Sequence, residues 1–330
     1  MARITVFGAG AMGTALAMHT ARRGQDVSLW ANPHDRAVFE AMKSEGRHPS
    51  LPEHLPAGVA LFGPEDLGSA ADGVEIAVMA AHSDGARSLA RMVAGAVAGA
   101  HSVVSVAKGL ETETGMRASA IYAQELPVAS IVAVGGPCLA PELAEGSPSA
   151  VVWAGSSVEA ARAAGEPVAD RHYQITFSDD VLGVEYCAVV KNVSAIGLGI
   201  LDGLSKLQSM PLQNAKAALF VRAASELATL VVALGGRAET ALGLPGFGDI
   251  VVTGLGGRNR LFGELVGEGG KPAEIVHAMR ERGLTVEGLD NARHVRRLIT
   301  EAGLDLPYHL AVYRVLFEGY DPRHVLEVLC

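Results

Sequence analysis

Ile4-Thr5-Val6-Phe7-Gly8-Ala9-Gly10-Ala11-Met12-Gly13-Thr14-Ala15-Leu16-Ala17 is the stretch that decides the fold. A short apolar run ends in Gly-x-Gly-x-x-Gly, and an alanine-rich segment follows at once. That glycine spacing alone is common. Between a strand and a helix it becomes a dinucleotide-binding fingerprint. Gly8 permits a tight turn, Gly10 lets the backbone approach a pyrophosphate, and Gly13 lets helix and strand pack closely. The pyrophosphate would rest on unpaired N–H groups at the helix N-terminus. The competing reading makes these glycines serve turn and packing only.

Outward from this turn, Asp26–Trp30 reads as a second strand. Residues just past such a strand choose between NAD and NADP at the ribose 2′ position. Here Trp30-Ala31-Asn32-Pro33-His34-Asp35-Arg36 places no acid at the strand tip. Arg36 either reaches a 2′-phosphate or is a solvated helix charge, so the cofactor is NAD or NADP. Strands are expected at 73–79, 102–106, 131–134, 150–153 and 173–177, in a parallel-type series, with a helix at 85–98. Alternating β and α segments joined by short loops predict a doubly wound, mainly parallel α/β sheet over residues 1–180. Lys108 and Gly136 lie just past strand ends, where such sheets bind ligands. Lys108 is then a ligand contact or an ordinary surface charge.

From 181 to 330 the pattern turns wholly helical, which predicts an all-α domain. Residues 181–204 read as one long apolar helix with Lys191 and Asn192 inside it. A lysine among valines is costly to bury without a partner. It either snorkels from a packed helix or is a desolvated amine of lowered pKa, suited to proton transfer. Residues 203–212 read as a polar, proline-containing loop and 214–234 as a second long helix. Gly246-Phe247-Gly248-Asp249, Thr253 and Gly257-Arg258-Asn259-Arg260 follow, with glycine-rich loops expected on both sides of Asp249. Arg-Asn at a helix start after such a loop forms either an anion grip or an N-cap beside a solvated arginine. Helices are also expected at 273–283, 288–302, 308–318 and 323–328.

Composition sets the outer bounds. The chain has 330 residues, 49% hydrophobic and 19% charged, with net charge −9. The sequence pI is about 5.7. An acidic chain argues against nucleic acid as the main partner. Cys138, Cys187 and Cys330 are sparse and unclustered, which points to a reducing cytosol without disulfides. The 11 histidines show no metal-ligand spacing, so no metal is expected. No signal peptide is expected before the first strand. Residues 186–201 carry Lys191 and Asn192, and 215–234 carry Lys216, Arg222 and Glu226, so no integral membrane segment is expected.

Taken together, the motifs resemble the NAD(P)-dependent glycerol-3-phosphate dehydrogenase family. The resemblance is carried by residues 8–17, 107–110, 136–149, 180–203, 214–220, 243–263 and 285–288, in order and at matching spacing. It implies a Rossmann domain followed by a helical catalytic domain, a cytoplasmic enzyme and a homodimer. It implies reversible reduction of dihydroxyacetone phosphate to sn-glycerol 3-phosphate, feeding glycerophospholipid synthesis. Lys191 then exchanges the proton and Asp249 orients it. Lys108 touches substrate and nicotinamide, and Arg258 and Asn259 hold the phosphate. Cofactor contacts fall on Gly8, Gly10, Ala11, Met12, Gly13, Trp30, Lys108, Ala140, Arg258 and Glu287. The small phosphorylated substrate meets Gly136, Cys138, Asn192, Thr253 and Gly257 as well. Departures from the family pattern are Cys138 for a hydroxyl residue, Gly257 for a serine, Asn32 for an arginine, Met12 for an aromatic residue, and a longer 205–213 loop. They leave room for a paralogue acting on another phosphorylated keto sugar or cyclitol. A non-catalytic sensor of nicotinamide redox state is a third reading.

Overall fold

A computed structural model describes residues 1–329; Cys330 lies outside the described residues. The chain divides into two compact units, Met1–Val181 and Leu182–Cys330.

The first unit is built on an eight-stranded sheet of order β3-β2-β1-β4-β5-β6-β7-β8. The strands are β1 (Arg3–Phe7), β2 (Asp26–Trp30), β3 (Val59–Phe62), β4 (Ile76–Met79), β5 (Ser102–Ser105), β6 (Ile131–Gly135), β7 (Ser149–Ala154) and β8 (Tyr173–Ser178). Its helices are α1 (Ala11–Arg22), α2 (Arg36–Glu45), α3 (Leu67–Ala70), α4 (Ala86–Val93), α5 (Ala118–Glu125), α6 (Ala140–Glu145) and α7 (Val158–Gly165). The apolar strands are covered on both faces, as continuous hydrophobic runs require. Alternation along each strand sorts the core. Val6, Leu29, Val78 and Val104 enter one cluster with Trp153. Phe7, Trp30, Met79 and Val103 enter the other with Tyr122.

Two features differ from the expectation. β6 and β7 pair antiparallel, with Val134 opposite Trp153, so the series is not parallel throughout. The only helix between them is the short α6, which stops at Gly146 in the left-handed conformation (φ +83°). β3 was not expected; its four residues pair in parallel with β2.

The second unit contains α8 (Val181–Gln208), α9 (Gln213–Ala233), α10 (Ala238–Leu242), α11 (Asp249–Leu255), α12 (Arg258–Gly267), α13 (Pro272–Glu281), α14 (Glu287–Glu301), α15 (Pro307–Phe317) and α16 (His324–Glu327). By length and composition α8 could cross a bilayer, but 94% of its apolar window is buried inside the protein, so it is a core helix. It runs farther than expected, to Gln208, which shrinks the expected loop. Lys206 holds the added turn against Glu264 and, at 3.3 Å, Glu268. The Ser205 hydroxyl donates to the Met210 carbonyl at 2.7 Å, closing the end. The glycine-rich run before Asp249 is likewise no open loop. Leu244–Gly248 forms a π-helical turn that feeds α11.

α8 and α12 cross at backbone contact. A Cβ on Gly199 would lie 2.1 Å from the Arg260 carbonyl oxygen, and one on Gly263 would lie 2.1 Å from that of Ile196. Glycines four apart on both helices (199 and 203, 263 and 267) are what allow this approach. The crossing brings the start of α12 beside the middle of α8, where Lys191 and Asn192 sit.

Candidate active site

The fingerprint turn behaves as its glycines require. Gly8 has φ +114°, and a Cβ there would lie 2.6 Å from the Ala80 carbonyl oxygen. A Cβ on Gly13 would meet the Gly8 carbonyl oxygen at 2.3 Å. A Cβ on Gly10 would meet nothing within 4 Å, so packing does not explain that glycine and the space above it is open to a ligand. Gly10 is also the N-cap of α1 and offers no side-chain cap, leaving the first-turn N–H groups to an external acceptor. These features fit a dinucleotide pyrophosphate. Ala11 and Met12 are half-buried against the core beside them, as are Cys138 and Ala140.

Trp30 has a different place. Its indole is 1% exposed and packs edge-on against Phe7, so the ring belongs to the core and not to a ligand surface. Only its carbonyl reaches the fingerprint, accepting from the Gly8 N–H at 2.9 Å. Arg36 is bound to Glu65, and both side chains are exposed. Asp35, which sequence reasoning passed over, accepts from the Ala9 N–H inside the turn at 2.8 Å. Its distance from the last glycine, roughly twenty residues, was the available signal.

Lys108 follows β5, and its ammonium donates to the Gly136 carbonyl at 3.1 Å, joining the ends of β5 and β6. The loop beyond Lys108 is fixed by Glu111, whose carboxylate takes two bonds from Arg87 at 2.8 and 2.9 Å. Glu111 is held below the usual carboxylate range, first by the Arg87 hydrogen bonds, against burial, with Thr114 adding to them.

Within the second unit, Lys191 on α8 is nearly buried, and its ammonium donates to Asp249 Oδ1 at 3.1 Å and to Thr253 Oγ1 at 3.0 Å, both on α11. Thr253 also donates to Asp249 Oδ1 at 3.3 Å. The side chains of Lys191 and Asp249 are 7% and 2% exposed. This is a paired buried amine and not a snorkelling one. The spacing of four between Asp249 and Thr253 puts both on one helix face toward the lysine.

Asn192, the next residue on α8, accepts from Asn259 Nδ2 at 2.9 Å. Asn259 Oδ1 accepts from the Gly288 N–H at 3.0 Å, so this amide ties α8, α12 and α14 together. Arg258 stays half-exposed at the first turn of α12, where its guanidinium donates to Thr285 at 2.9 Å and lies 4.0 Å from Glu287. Gly257 caps α12 with φ +90°, a conformation that glycine adopts freely and serine does not. The departure at 257 thus has a backbone reason.

Sequence reasoning also missed Glu226. This 4%-exposed carboxylate accepts from the Tyr308 and His309 backbone N–H groups at 2.9 and 3.1 Å, from His309 Nδ1 at 2.9 Å, and from Arg222. His309 Nε2 meets Ser194 Oγ at 3.0 Å on α8, one turn beyond Lys191. Nothing in the sequence links positions so far apart. Among the described residues, no group of three His, Cys, Asp or Glu side chains could hold a metal ion.

A mainly parallel sheet with a glycine fingerprint, continued in sequence by a helical unit with a buried Lys–Asp pair, defines a dinucleotide-dependent oxidoreductase. Family models for the NAD-dependent glycerol-3-phosphate dehydrogenase N-terminus and C-terminus match residues 3–161 and 180–327. The chain belongs to this family of NAD(P)-dependent oxidoreductases acting on a CH–OH donor. An NAD(P)+ glycerol-3-phosphate dehydrogenase of Clostridium perfringens is 32% identical over 331 residues, covering 100% of this chain and 97% of its own. An NADP(+)-dependent glycerol-3-phosphate dehydrogenase of Archaeoglobus fulgidus is 30% identical over 328 residues, covering 98% and 97%. A solved glycerol-3-phosphate dehydrogenase from Coxiella burnetii superposes with a TM-score of 0.87 at 32% identity, over 99% of this chain and 98% of that one.

Proposed function

We propose that this protein reversibly reduces dihydroxyacetone phosphate to sn-glycerol 3-phosphate, with Lys191 as the proton donor in that direction and the acceptor in reverse. The observation that carries the reading is the buried Lys191 ammonium held by Asp249 and Thr253. A nicotinamide dinucleotide held at the Gly8, Gly10 and Gly13 turn would supply the hydride for the carbonyl carbon. The protein supplies the rest. Lys191 delivers a proton to the developing alkoxide, and Asp249 fixes the amine and balances its charge. Thr253 limits the amine's rotation. In a site closed to bulk water such a fixed donor acts without solvent reorganisation.

Lys108 and Gly136, at the strand ends, serve as contacts for substrate and nicotinamide, with Cys138 and Ala140 nearby in sequence. Arg258 takes the substrate phosphate. Its half-exposed guanidinium at a helix N-terminus supports that role, since both give a dianion favourable contacts. Asn192 and Asn259 fix the framework around it, and Glu287 steadies Arg258 or the cofactor. Residues 1–180 hold the dinucleotide and 181–330 bring catalysis and substrate contacts.

The setting proposed for this activity is the cytoplasm, in glycerophospholipid precursor supply. A homodimer is the proposed assembly. Exposed Val221 and Val232 on α9, with Leu207 and Met210 just before it, support an apolar contact surface.

The test is initial rates of NADH and NADPH oxidation against dihydroxyacetone phosphate and a panel of phosphorylated keto sugars and cyclitols. Dihydroxyacetone phosphate is expected to give the highest kcat/KM. A better substrate elsewhere in the panel would replace the assignment with the paralogous one, and folded protein without turnover on any pair would overturn it.

A further inference from the structure

The turn that leaves β2 places one carboxylate against the fingerprint. Asp35 Oδ2 accepts from the Ala9 N–H at 2.8 Å, from Asn32 Nδ2 at 2.7 Å and from the Asn32 N–H at 3.3 Å. Asn32 Oδ1 in turn accepts from the His34 N–H at 2.7 Å, closing a capping box over Pro33–Asp35. The carboxylate is therefore fixed beside the glycine turn. All three bonds fall on one oxygen, which leaves Oδ1 for a ligand. In a doubly wound sheet, the segment after the second strand meets the adenosine ribose.

The surrounding charges do not offset Asp35. Arg36, the nearest cation in sequence, is bound to Glu65, so that pair is neutral. His48 is 4% exposed in the same neighbourhood. Burial pulls its pKa below the ordinary imidazole value and outweighs the opposing field of Asp35, so it is uncharged at neutral pH. A ribose diol brings hydroxyl donors, which a carboxylate oxygen accepts. A 2′-phosphate brings a dianion that this carboxylate repels.

We propose that Asp35 makes this protein selective for NAD(H) over NADP(H). The proposal rests on the dinucleotide reading of residues 1–180 and adds which dinucleotide they take. It shifts the choice from the strand tip, where sequence alone finds no acid, to a residue five positions later that the turn carries back to the fingerprint.

Isothermal titration calorimetry of the whole protein with NADH and with NADPH tests it without reference to turnover. NADH is expected to bind at least about tenfold more tightly, since like-charge juxtaposition at an interface is strongly unfavourable. Asp35→Asn keeps an oxygen for the Ala9 N–H and removes the charge. It is expected to tighten NADPH, weaken NADH and narrow the ratio by on the order of tenfold. Equal or tighter binding of NADPH by the unaltered protein would overturn the proposal, with no variant needed. So would an Asp35→Asn ratio that does not move. Folded protein that binds neither dinucleotide would overturn it together with the dinucleotide reading.

Discussion

Lys191 shows how one residue's surroundings select its chemistry. A lysine in a helix interior flanked by Val189, Val190 and Val193 has no water to hold its charge. Asp249, 2% exposed, takes that place. Breaking such a pair leaves one charge buried alone, at a cost of about 3–5 kcal/mol. Asp249→Ala is expected to lose that much stability in urea unfolding and most of its activity. Asp249→Asn, which keeps the shape, should fold and still lose kcat more than substrate affinity. Arg258→Ala should do the reverse, raising KM with a small change in kcat, because a phosphate grip acts equally on ground and transition states. The two variants are compared by steady-state kinetics, and an exchange of their patterns would reverse the two roles. Lys191, Asp249, Thr253 and Arg258 were legible because each is chemically out of place in an apolar or glycine-rich run. Asp35 was not, because its bond to Ala9 exists only once the turn after β2 has formed. Trp30 was expected among the cofactor contacts only through the resemblance, and its buried ring on Phe7 leaves its carbonyl as the part that meets the fingerprint turn.

Elements decide whether these residues meet. The α8–α12 crossing depends on glycines whose absent side chains let backbone touch backbone. Gly263→Val is expected to destabilise by about 3 kcal/mol or more, since the added atoms meet the Ile196 carbonyl and neither helix can yield. It should also impair substrate affinity more than a cavity at an equally buried remote site, as it displaces Asn259 from Asn192. Glu226 fastens the start of α15 to α9. Burial pushes its carboxyl up, but His309 and the two helix N–H groups outweigh this, so it lies below the usual glutamate range in the folded protein. A depressed carboxyl stabilises above its unfolded pKa of about 4.3, and that contribution is lost as pH falls through the folded value. Glu226→Gln is therefore expected to cost about 2–4 kcal/mol near pH 7. Denaturation at a series of pH values should show the gap to the unaltered protein closing below about pH 4. Helix and strand types were legible from periodicity. The antiparallel β7 was not, because direction is set by a connection and not by the strand's own residues. The extra turn of α8 was not, because Lys206 needs Glu264 to hold it.

At the scale of the molecule, the sequence shows two compositions joined near residue 180, one alternating and one helical, and the chain divides between Val181 and Leu182. The glycine fingerprint belongs to the first unit and the buried amine to the second, so cofactor binding and proton transfer are separable by mutation. Lys191→Ala tests that separation and the central claim together. By calorimetry it should bind nicotinamide dinucleotide within about threefold of the unaltered protein, since the substitution lies outside the fingerprint. With dihydroxyacetone phosphate its kcat should fall about 100- to 10,000-fold, the span a positioned general acid contributes. A variant that binds cofactor normally and keeps kcat within tenfold would contradict the assignment of Lys191 as proton carrier.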